Sequence, residues 1–128
     1  MIGSISENLK FTSAGVGDLT ELNGEFVSVS GFRKVAAILA TAEAGEESSD
    51  VTISLYEAKD EDGADEQLLV TRTITVVSGE TGQLVQSFDV QYLSADYTHV
   101  AVKAEATNAI DGVAFLALAD PRERPITE

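Results

Sequence analysis

Residues 56–67 read YEAKDEDGADEQ and crowd five carboxylates, between Asp60 and Glu66, around one glycine, Gly63. Hard cations bind convergent oxygens of this kind, so the first chemistry the chain offers is calcium binding. An EF-hand loop places oxygen ligands at its positions 1, 3, 5 and 12, with glycine at 6. With Gly63 at position 6, Asp60 and Asp62 fall at 3 and 5, but Ala58 falls at 1 and Leu69 at 12, so the two anchoring ligands are missing. The glycine-rich calcium repeats of β-rolls do not match either. Asp60, Asp62, Asp65 and Glu66 are the candidates for an irregular calcium site. The competing reading is a solvated turn between two strands.

Other reactive side chains are few. His99 is the only histidine and cysteine is absent, which excludes multi-histidine zinc centres, thiolate metal sites, cysteine nucleophiles and disulfides. Neither SVSGF nor VVSGE carries the leading glycine of a nucleophile elbow, so His99 has no sequence-adjacent serine to activate and reads as a surface residue. No Gly-x-x-x-x-Gly-Lys-Ser/Thr phosphate loop is present, and GETG at 79–82 reads as a turn. Tyr56, Tyr92 and Tyr97 are the candidates for a sugar-stacking platform, but with no tryptophan and 6% aromatics, packing is the simpler role. These residues predict a protein without catalytic groups and without a cofactor.

Charge narrows the partners. Twenty-two acidic residues stand against eight lysines and arginines, a formal net charge of −14, and the basic residues never cluster beyond a pair. Such a surface repels phosphate and anionic lipid, so nucleic acid and membranes are not expected partners. A basic protein partner or a saline environment suits it, and plain solubility is served equally well. The N-terminus has no basic segment leading into a long apolar run, and the longest apolar stretch, 35–42, is too short to cross a bilayer; the chain is expected to be cytosolic when made.

The elements that must position these residues read as strands. Val51, Ile53 and Leu55 alternate with Thr52, Ser54 and Tyr56, and Val70, Arg72, Ile74 and Val76 alternate with Thr71, Thr73 and Thr75. Phe88, Val90 and Tyr92 repeat the pattern, as do Val100, Val102, Ala104 and Ala106. Strands are also expected over 25–30 and 113–118, and over 35–42, whose nearly continuous apolar run suggests a central strand buried on both faces. Glycine, serine and aspartate clusters separate the segments. About seven or eight short strands without helices predict an all-β fold, an antiparallel β-sandwich of jelly-roll type, with immunoglobulin-like topology as the alternative.

One domain is expected for 128 residues. It would carry an N-terminal arm over about 1–24, containing one edge strand and a loop, and an extended tail over about 120–128, where two prolines cannot donate to a ladder. Arg122 and Arg124 in that tail are candidates for pairing with acidic groups of a neighbouring subunit.

Three segments together, VTISLYEAKDEDGADEQLL at 51–69, SFDVQYLSADYTHVAVKAEAT at 87–107 and FLALADPRERP at 115–125, resemble small proteins encoded beside the major capsid protein of tailed bacteriophages. The features in common are an acidic Asp-x-Asp-Gly turn after a strand, the residues Leu93, Tyr97, Thr98, His99 and Val100 leading into a long strand, and an Arg-x-x-Pro-like ending. A lysine often found after the acidic turn is replaced here by Glu66 and Gln67. The resemblance implies a non-enzymatic virion protein, made in the host cytoplasm, that binds the major capsid protein and stabilises the shell. Exposed edge strands need covering and neighbouring copies can do it, so a homotrimer or other small ring is expected. The alternative is a carbohydrate-binding or calcium-dependent adhesion module.

Overall fold

The computed structural model describes residues 9–121, with side chains placed over 17–119. Nine strands follow one another: β1 (Leu9–Asp18), β2 (Glu21–Asn23), β3 (Val27–Ser28), β4 (Phe32–Thr41), β5 (Ser49–Ala58), β6 (Gln67–Val76), β7 (Gln83–Asp89), β8 (His99–Ala106) and β9 (Asp111–Pro121). They form two antiparallel sheets, one ordered β1-β9-β4-β7 and the other β2-β8-β5-β6, with β3 also pairing with β8. β2 and β3 lie along the same strand, β8, and Gly24 between them still donates to the Val102 carbonyl at 2.9 Å. They are one interrupted strand, which reconciles nine segments with an eight-stranded jelly roll. Counted that way, the first strand pairs with the last, the second with the seventh, the third with the sixth and the fourth with the fifth: one long hairpin folded over on itself.

Period-two alternation builds the core. Val51, Ile53 and Leu55 of β5 point inward and are at most 1% exposed, as do Val35, Ala37 and Leu39 of β4 and Leu116 and Leu118 of β9. The inner faces meet across the sandwich and bury Leu19, Val29, Val100, Val102 and Ile110 between them.

Several sequence expectations need correction. β4 is central in its sheet but not buried on both faces: its residues alternate between fully and partly buried. The strand expected through Phe88, Val90 and Tyr92 ends at Asp89, whose carboxylate accepts the Gln91 N–H at 3.1 Å and caps a one-turn 3-10 helix, Val90–Tyr92. Of the strand expected over 25–30 only Val27–Ser28 forms. In the N-terminal segment, β1 is the expected edge strand, paired with β9, but where a loop was expected after it β2 pairs with β8. β9 likewise extends to Pro121, into the segment expected as a tail, and the remaining tail with Arg122 and Arg124 lies outside the described residues.

Candidate functional site

The acidic stretch joins β5 to β6 as a hairpin loop over 59–66. Lys59 N–H donates to the Ala64 carbonyl at 3.0 Å and Gly63 N–H to the Asp60 carbonyl at 3.2 Å. Asp60 Oδ1 accepts the N–H groups of Asp62 at 2.9 Å and Ala64 at 3.1 Å, an Asx-type closure that uses the carboxylate to tie the turn. Gly63 and Asp65 take left-handed backbone, with φ of +85° and +54°.

Cations fasten the loop to the sheet. Lys59 bridges Asp65 at 3.1 Å, and Tyr97 Oη donates to the Asp65 carbonyl at 2.8 Å. The hydrogen bond to Asp65 and the charge of that carboxylate hold the exposed Lys59 ammonium above the ordinary lysine pKa. Lys103 bridges Glu66 at 2.7 Å with its ammonium 4.5 Å from the centre of the Tyr56 ring. Thus Asp60, Asp65 and Glu66 each have a partner within the loop or the sheet, and among the described residues no group of three or more acidic or histidine side chains converges to hold a metal ion. Asp62 stands outside those contacts, with only its backbone N–H bonded to Asp60.

A residue that the sequence reading passed over lies beneath the loop. Glu57 is 2% exposed, and its carboxylate accepts from Ser94 N–H at 2.8 Å, Ser94 Oγ at 2.5 Å and Gln67 Nε2 at 3.1 Å. Its signal was available: Glu57 continues the inward series Val51, Ile53, Leu55 by two residues. A buried carboxylate supplied only by neutral donors joins the end of β5, the start of β6 and the segment after the 3-10 helix into one unit.

Beside that unit opens a cleft of about 210 Å³, lined by Val29 and Ser30 on one side, Val90, Gln91 and Leu93 on another, and Tyr97 and Thr98. None of these side chains is charged. His99, next in the chain, has Nδ1 2.8 Å from Thr98 Oγ1, and its ladder neighbours are Ala58 and Ser28. The three tyrosines are engaged separately: Tyr56 lies under Lys103, Tyr97 is bonded to the acidic loop, and Tyr92 is 70% exposed on the 3-10 helix. No helix among the described residues is long and apolar enough to cross a membrane.

No protein-family model matches the sequence, and a search of curated proteins gave no match. Solved structures do match the fold. YomS, a protein derived from the SPBc2 prophage, superposes with a TM-score of 0.51 over 88% of this chain and 94% of its own, at 16% identity. The structure of infectious bursal disease virus, Gx strain, gives a TM-score of 0.57 at 7% identity, over 91% of this chain and 32% of that one. The CBM22-1 and GH10 modules of Clostridium thermocellum xylanase 10B give 0.48 at 10% identity, over 84% of this chain and 20% of that one. At these identities the likeness is one of fold. The jelly roll is shared with a prophage protein along nearly the whole of both chains.

Proposed function

We propose that the protein is a non-enzymatic structural component of a phage virion, binding the outside of the capsid shell and stabilising it. The observation that supports this most is the match with the prophage-derived YomS, which spans 88% of this chain and 94% of that one. The sequence resemblance to proteins encoded beside the major capsid protein agrees with it. So does the economy of the fold, in which polar side chains around the acidic hairpin bond to one another. A protein of this kind works by mass action: binding the assembled lattice better than free subunits shifts the equilibrium toward the shell. Many copies on a symmetric particle make modest contacts suffice.

The test is co-expression with the major capsid protein from the same genome, followed by gradient sedimentation. The protein is expected in the shell fraction, with shells that survive heating several degrees beyond bare ones. Protein confined to the top of the gradient, together with shells of unchanged stability, would sink the proposal.

A further inference from the structure

The outer faces of the two sheets differ in kind. On the β5–β6 side the outward residues are hydroxyls, with Thr52 against Thr73 at 2.7 Å and Ser54 against Thr71 at 3.0 Å. That is the ordinary composition of a sheet face open to water. On the other sheet, Ala36, Ile38 and Ala40 of β4 stand directly opposite Ala117, Phe115 and Val113 of β9, while the intervening Val35, Ala37 and Leu39 fill the core. Across β7, Ile38 faces Val85, which is 58% exposed. On β4 and β9 the middle of this face therefore carries neither charge nor hydroxyl; Ala117 is buried and its neighbours are partly exposed, and on β7 Ser87 and Gln83 flank Val85 as a polar border.

Charge appears only at its ends. At one end exposed Lys34 is paired in register with Asp89, whose carboxylate is already occupied by the Gln91 N–H and Nε2. At the other end Asp18 and Asp111, both exposed, lie directly opposite each other on β1 and β9, with Asp18 Oδ1 accepting the Thr20 N–H at 2.9 Å. Like charges in that position destabilise a ladder. Among the described residues neither aspartate has a cation within salt-bridge distance, and Lys34 has no anion.

We propose that this face binds a second copy of the chain, sheet against sheet, with the strands of the two copies running in opposite directions. That orientation brings Lys34 of each copy to the Asp18 and Asp111 end of the other, whereas the reverse orientation would gather four carboxylates at one end. A chain of net charge −14 repels its own copies, and this uncharged strip is where two of them can meet at least electrostatic cost. Four strands at about 4.8 Å spacing and ten residues at about 3.3 Å rise give a face of roughly 600 Å². Two copies in contact over the whole face, of which the uncharged strip on β4 and β9 is about half, would bury roughly 1,200 Å² in all, the lower limit for a specific, stable interface. A patch that pairs with itself closes at two copies, so the product is a dimer and not a ring. The pairing does not depend on the capsid reading.

Light scattering coupled to size exclusion, across a concentration series from about one to a few hundred micromolar, reads the mass directly. A dimer is expected at the upper end, converted to monomer by Ile38→Glu and by the milder Val85→Glu on the exposed edge, with circular dichroism unchanged in the latter. Thr73→Glu on the hydroxyl face should leave the dimer intact. Carbodiimide coupling of the dimer should join Lys34 of one copy to Asp18 or Asp111 of the other. A monomer throughout, a trimer or larger ring, or a dimer lost on Thr73→Glu but kept on Val85→Glu would overturn the proposal. Absence of the Lys34 cross-link in a dimer would overturn the orientation.

Discussion

Glu57 shows how much of this molecule depends on one carboxylate in an unexpected place. Three donors point at it from two different segments. Glu57→Ala removes three hydrogen bonds and empties a buried position, while Ser94 and Gln67, both exposed, can turn to water, so it should cost about 1–3 kcal/mol, read as a lower urea midpoint at unchanged slope. Glu57→Gln keeps the shape but turns an amide N–H₂ toward at least one donor, so a loss of about 1–2 kcal/mol is expected. The inward position of Glu57 was legible from the alternation of β5, but its partners were not, because Ser94 lies 37 residues away and reaches it only once β8 has paired with β5. The acidic turn was legible as a turn. That Asp60 would close it and that Asp65 and Glu66 would be taken by Lys59 and Lys103 was not, since each lysine's placement depends on the hairpin geometry or on a neighbouring strand.

At the scale of elements, alternation named most strands and glycine misled in one place. Asp111-Gly112 reads as a turn, yet Gly112 is the second residue of β9, paired with Thr41. A Cβ there would stand 2.5 Å from the Ala40 carbonyl oxygen and 2.6 Å from Leu19 Cδ1. Backbone cannot retreat without parting β4 from β9, so Gly112→Ala should cost about 2–3 kcal/mol and raise amide exchange along both strands. Gly63 makes a useful contrast. Its Cβ would meet the Phe26 ring at 2.9 Å, a side chain that can rotate away, so the loss at Gly63→Ala comes mainly from its φ of +85° and should be about 1 kcal/mol. If Gly63→Ala proved the more damaging of the two, the close approach of β9 to β4 would not be the constraint it is taken to be. The 3-10 turn after Asp89 escaped the sequence reading for a different reason: Val90 continues the apolar alternation although its burial comes from a helical turn packed on the core.

For the whole molecule, the fold class was legible and the strand order was not, because the closing pair β1 and β9 joins residues about a hundred apart and leaves no local trace. The same closure makes most contacts long-range, so folding in milliseconds to seconds is expected. Net charge is the other global property, and it separates two explanations of the acidic loop. Repulsion among carboxylates loosens the compact state, and raising monovalent salt from about 0.05 to 1 M shortens the screening length from over 10 Å to about 3 Å. The melting temperature should therefore rise with potassium chloride, most steeply at the low end. Screening has no preference among cations of equal charge, whereas a coordination site does. Calcium and magnesium at about 5 mM and matched ionic strength should accordingly give the same small increment. An additional rise with calcium alone, lost on Asp60→Asn or Asp62→Asn, would mean that the turn rearranges around an ion, with Asp60 giving up the N–H groups of Asp62 and Ala64 that it now holds.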